Sequence, residues 1–120
     1  MQLQNDMAAR ISFPDCTISR FSAGSDYVRF NSDGVYVDGD GLFTSDHDID
    51  CRISGLVGAR EYVDGIWNKL DGDCESGLRD ICEWTADTNR LCFAGFDEQS
   101  GMWREYTVLE YALAITVPQH

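Results

Sequence analysis

Lysine is almost missing from this chain: Lys69 is the only one among 120 residues. With the arginines it makes nine basic residues against twenty-one acidic ones, a formal charge of −12 and a pI near 4.2. A field of that sign repels nucleic acid and anionic membranes while drawing in basic protein surfaces. Direct nucleic-acid binding is therefore not expected. No stretch approaches the ~18 consecutive apolar residues that a membrane span needs. Met1–Arg10 also lacks the basic start and apolar run of a secretory signal. A cytoplasmic protein without a membrane partner is expected.

Other absences narrow the chemistry. The five cysteines, Cys16, Cys51, Cys74, Cys82 and Cys92, form an odd set with no C-x-x-C spacing, which fits reduced thiols better than a disulfide framework or a zinc site. Cys51 and Cys82 fall on apolar faces and read as small core residues. There is no Gly-rich phosphate loop, no G-x-S-x-G and no basic-aromatic stripe. Paired carboxylates are abundant, but nothing marks one pair out as an acid–base couple. No enzyme activity and no cofactor are expected.

What the chain does have is enough apolar and aromatic residue for one packed interior, 43% and 12% of the sequence. That suits a single domain over residues 1–120. Five Asp-Gly dipeptides, beginning at Asp33, Asp38, Asp40, Asp64 and Asp71, punctuate short runs of Val, Ile, Tyr and Phe. Asp-Gly supplies the positive φ that tight hairpin turns require. The expected fold is mainly β (α+β): an antiparallel sheet or β-sandwich-like meander with one short helix.

Strands are expected over Thr17–Ser22, Asp26–Asn31, Gly34–Asp38, Gly41–Thr44 and Ile49–Val57. The last is the clearest, because Ile49, Cys51, Ile53 and Val57 share one face and Asp50, Arg52 and Ser54 the other. Glu61–Leu70 fits a helical stripe or, with Asp64-Gly65 as its turn, a hairpin; the hairpin is preferred. Leu78, Ile81 and Cys82 at i, i+3 and i+4, with Asp73 and Glu75 before them, predict the helix within Asp73–Trp84. Arg90–Phe96 and Met102–Val117 predict a second hairpin, with a bulge or break where the apolar phase slips around Leu109–Ala112.

Three constellations bear on function. Placing Gly41 at the sixth position of an EF-hand loop puts Asp38 and Asp40 at ligand positions, but Tyr36 and His47 at the ends where carboxylates are needed. Hairpin turns explain the segment better. His47 and Cys51 would point to one side of a strand, which makes a Cys–His dyad conceivable, yet Cys51 is better explained as core. The third is the run from Asp33 to Asp50, which carries Asp33, Asp38, Asp40, Asp46, Asp48 and Asp50, with Tyr36 and Phe43, and no Lys or Arg. These eight residues suit an interface anchored by aromatics and ringed by carboxylates that steer a basic partner. A solvated, turn-rich edge that keeps the protein soluble is the other reading, and adaptation to high salt is a third account of the acidity.

The segment Leu91–Tyr106, with its Gly95-Phe96, turn, Gly101-Met102-Trp103-Arg104-Glu105-Tyr106, is similar to a Gly-Phe, turn, Gly-x-Trp-x-Glu-Tyr hairpin of small bacterial immunity-like proteins. In size, acidity and β pattern the chain resembles the small inhibitors of bacteria and phages: immunity proteins of toxin systems, and anti-CRISPR or other anti-defence proteins. The resemblance implies stoichiometric neutralisation, an acidic face covering the basic nucleic-acid channel of a nuclease toxin or defence complex. A non-inhibitory adaptor that uses Trp67, Trp84 or Trp103 as anchors is the alternative, followed by a cryptic enzyme or metal-dependent binder.

Overall fold

In the computed structural model, which describes residues 1–70 and 76–118, alternation of apolar and polar residues produces nine strands. They are β1 Gln2–Gln4, β2 Ile11–Ser12, β3 Ile18–Ala23, β4 Tyr27–Val37, β5 Gly41–Val63, β6 Ile66–Leu70, β7 Glu83–Ala86, β8 Arg90–Phe96 and β9 Trp103–Thr116. The expected strands 26–31 and 34–38 merge into β4, and those beginning at Gly41 and Ile49 merge into β5, a strand of 23 residues. The segment Glu61–Leu70 is a hairpin turning at Asp64-Gly65, and the 90–96/102–117 hairpin forms as β8 and β9.

All strands belong to one antiparallel sheet with the path β2-β4-β5-β9-β8-β7, where β3 lies beside β4, β1 beside β9, and β6 beside the far end of β5. Strand β7 returns against β2 and against a 3-10 helix, Asn5–Arg10, so the sheet curls into a nearly closed barrel. It is not a two-sheet sandwich.

An unbroken circuit of aromatic rings closes the barrel. Trp84 stacks on Phe93 (5.6 Å between centroids), Phe93 on Tyr106 (5.4 Å), Tyr106 meets Phe21 (5.1 Å), Phe21 stacks on Phe30 (6.0 Å), and Phe13 joins Phe30 (5.6 Å) back to Trp84 (5.3 Å). Each such pair contributes roughly 0.5–1.5 kcal/mol beyond its buried area. The Phe13–Trp84 contact joins the two edges of the sheet, and the Trp84 indole N–H donates to the Ala8 carbonyl at 2.9 Å. Gly77 lies close against the side chain of Phe21, where any Cβ would collide with it.

Three bulges shape the sheet. In β3, Arg20 and Phe21 together face the single residue Phe30, since Ser19 pairs Asn31 and Ser22 pairs Arg29. In β5, Ser45–Asp48 is looped out between Thr44, opposite Gly34, and Ile49, opposite Ser32. The third is the expected slip in β9: the register jumps between Ser54–Ala112 and Leu56–Leu109, with Gly55 at φ +147° and Glu110 at φ +50°. Asn5 clamps this kink, its side-chain amide donating to the Tyr111 carbonyl (2.8 Å) and its carbonyl accepting from the Leu113 N–H (2.6 Å).

Two expectations are corrected. No helix forms within the described part of 73–84, although residues 73–75 lie outside the described residues. Leu78 and Ile81 are buried there, but the backbone bonds to its neighbours: Arg79 N–H to Phe96 O, Cys82 N–H to Ala94 O, and Ile18 N–H to Arg79 O. The apolar spacing fills the barrel end and does not mark a helical face. Cys82 is exposed, whereas Cys51 is wholly buried as expected.

Candidate functional site

The acidic run occupies the end of the β4–β5 hairpin. Its tip is Asp38-Gly39-Asp40, with Gly39 at φ +91° and the Asp40 N–H bonded to the Val37 carbonyl at 2.9 Å. This is a short hairpin turn and not the loop of a helix–loop–helix cation site. Arg10, at the end of the 3-10 helix, clasps the tip through its backbone, donating to the Asp38 carbonyl from Nε (2.9 Å) and Nη2 (2.6 Å). The Asp38 carboxylate thus remains exposed to solvent. Asp40 reaches Arg10 only at 3.4 Å, between two exposed side chains, so it is weakly held.

The bulge Ser45–Asp48 presents the next two carboxylates, Asp46 and Asp48, both exposed. His47 at φ +64° makes the reversal. The Ser45 hydroxyl accepts from the Asp48 N–H (2.9 Å), and the Asn31 side chain donates to the His47 carbonyl (3.1 Å), fixing its shape. The His47 Nδ1 is buried without a partner. Cys51 is sealed in the core, where burial, followed by the charge of Asp50, pushes its thiol well above the ordinary value. A thiolate nucleophile is disfavoured there. Among the described residues no group of three His, Cys, Asp or Glu side chains is arranged to hold a metal.

Between tip and bulge, Tyr36 pairs directly with Leu42 across the strands, and the two stand out at 37% and 56% exposure. The sequence reading missed Leu42. Its signal was available, since a turn at Asp38–Asp40 sets it opposite Tyr36. The remaining candidates are used internally. Phe43 is half-buried and packs on the core; Asp33 accepts the Thr17 N–H at 2.8 Å and ties down the start of β3; Asp50 pairs with Arg52 at 3.0 Å. The exposed set is Tyr36, Leu42, Asp38, Asp40, Asp46 and Asp48.

A second group of charges is structural. Arg104, only 6% exposed on the inner face of β9, pairs with Glu61 (2.6 Å) and Asp97 (2.9 Å) and donates to the Ser76 carbonyl (3.2 Å). Burial opposes the charge on Asp97, but hydrogen bonds from the Ser100 backbone and the Ser76 hydroxyl, and the Arg104 guanidinium, outweigh it and hold its pKa below the usual carboxylate value. Of the tryptophans, Trp84 and Trp103 are half-buried, while Trp67 stands 39% exposed on the β5–β6 hairpin, against Tyr62 (5.2 Å) and beneath the Arg60 guanidinium (3.8 Å). No protein-family model, curated protein or solved structure matches the chain. No helix among the described residues is long and apolar enough to cross a membrane.

Proposed function

We propose that this protein acts by binding a basic protein surface stoichiometrically and not by catalysis, with the acidic end of the β4–β5 hairpin as its contact face. The inhibitor reading, against a cytoplasmic nuclease toxin or a nucleic-acid-handling defence complex, is the form we favour, with carboxylates standing in for backbone phosphates. The observation that supports it is the exposed Tyr36–Leu42 pair ringed by the carboxylates of Asp38, Asp40, Asp46 and Asp48. Aromatic anchors with a charged rim are the ordinary division of labour at an interface: the anchor holds and the rim steers. Aspartate on a fixed turn loses little side-chain entropy when it pairs.

The test is capture of partners from host lysate, then titration of the captured protein at two ionic strengths. Replacing Asp38, Asp40, Asp46 and Asp48 with Asn is expected to preserve folding, slow association and flatten the salt dependence. Tyr36→Ala is expected to weaken binding by roughly 2 kcal/mol, as at a hot spot. Unchanged affinity and salt slope in the quadruple variant would remove this face. The adaptor reading then gains, because Tyr62, Ile66 and Trp67 expose an apolar tip on the β5–β6 hairpin.

A further inference from the structure

The outer face of β3, β4, β5 and β9 carries an open groove of ≈ 770 Å³, and Arg20, Arg29 and Arg52 line it. These are three of the chain's nine basic residues, gathered on one face of a protein with a formal charge of −12. The geometry points to a binding site for a small molecule bearing a phosphoryl group, held by these three guanidinium groups. This inference is independent of the acidic face.

The bulge in β3 brings the first arginine there. Because two residues face Phe30, Phe21 turns inward to stack on Phe30 and pack at a tilt against Tyr106, and Arg20, at φ +53°, lines the outer groove. Bulges commonly re-aim a side chain in this way. Register supplies the other two: Arg29 sits directly opposite Arg52 on neighbouring strands. Like charges so placed destabilise a sheet unless something between them is anionic. Arg52 reaches Asp50, but Arg20 and Arg29 make no ion pair or side-chain hydrogen bond among the described residues, in a chain with 21 acidic side chains. Their charge is left for something outside the fold.

The rest of the groove fits a small ligand. Ala112 and Ala114 of β9 lie beside Ser54 and Arg52 and keep the floor low, and the half-exposed ring of Tyr27 forms a wall. Guanidinium forks match phosphate oxygens in bidentate geometry. The volume lies in the range of small-molecule sites, roughly 300–1,000 Å³. A phosphate polymer would carry its further charges over the carboxylates of the same protein, whereas a small ligand feels chiefly the local charges, the guanidiniums of Arg20 and Arg29 and the Arg52–Asp50 pair, since screening acts over about 8 Å at physiological salt.

Calorimetric titration of the full chain with inorganic pyrophosphate tests this. Saturable one-to-one binding is expected, weakened about tenfold or more in Arg29→Gln and in Arg20→Gln, as loss of a charge-assisted hydrogen bond implies. Arg90→Gln, on β8, is expected to bind as the wild type. Thermal melts establish that the variants are folded, and amide shifts of Arg29 and Arg52 on adding pyrophosphate locate the site. Absence of saturable heat at millimolar pyrophosphate, or unchanged affinity in both groove variants, overturns the proposal. Citrate binding as tightly as pyrophosphate overturns its phosphoryl specificity.

Discussion

The two ends of the β4–β5 ribbon carry opposite charge, and they acquire it in different ways. At one end Asp38, Asp40, Asp46 and Asp48 sit on a turn and a bulge, within one short stretch of chain. At the other, Arg20, Arg29 and Arg52 come from three strands and meet through the bulge in β3 and the register of β4 with β5. Turn chemistry writes a cluster into the sequence, because Asp and Gly are chosen locally for their backbone conformations. Register leaves no such trace: a net charge of −12 suggests a uniformly acidic surface, and the sheet assembles a basic face on it.

That contrast depends on the barrel holding both ends in place. The strongest way to break it is Trp84→Ala, which removes the ring that joins Phe13 to Phe93 and the bond to Ala8. A loss of about 3–5 kcal/mol in urea unfolding is expected, as for large aromatic truncations in a core. A loss under about 1 kcal/mol, the scale of a surface change, means that the edges are held together by other contacts.

The next largest effect lies at the inner face. Asp97→Asn leaves the buried Arg104 with Glu61 as its remaining carboxylate and is expected to cost about 3 kcal/mol, the low end for breaking a buried pair. Because the folded pKa of Asp97 is depressed, its contribution is present above the unfolded value near ~3.9 and is lost as pH falls through the folded value. Acid melts of the wild type therefore steepen below about pH 4, and the Asn variant is expected to show a shallower acid limb. Parallel acid limbs in the two proteins would assign the acid sensitivity to other carboxylates.

The smallest effect sharpens the comparison most. Without any ligand, Arg29→Gln relieves the Arg29–Arg52 repulsion and is expected to raise stability by roughly 0.2–1 kcal/mol. Replacing an exposed acidic residue at the hairpin tip has no such like-charge partner across the ladder. A destabilised Arg29→Gln variant means that Arg29 serves the fold and not the groove.

Much of this architecture was legible because short-range chemistry decided it. The alternation Ile49-Cys51-Ile53, the Asp64-Gly65 turn and the phase slip near Leu109 each reappear as a strand, a hairpin and a kink. The helix expected before Trp84 failed for a long-range reason. Backbone groups of Arg79 and Cys82 bond to β8, and Gly77 and Gly95 allow contacts with Phe21 and with the Asp80 backbone that no spacing rule encodes. The 3-10 helix left no apolar period, since its Asn5 works through contacts with β9 far along the chain. In the acidic site, Asp38, Asp40, Asp46 and Asp48 were legible as exposed turn residues. Phe43 and Asp33 were not, because burial and the capping of Thr17 depend on neighbours outside the run.

The aromatic circuit also sets the protein's clock. Its closing bond, from Trp84 to Ala8, spans 76 positions, so its formation carries the entropy of closing the whole meander between them. Contacts completed after the folding barrier do little for the rate of folding and act on the rate of unfolding. Trp84→Ala is therefore expected to speed unfolding more than it slows folding, shortening the lifetime of every surface the barrel displays; folding and unfolding rates across a denaturant series check this.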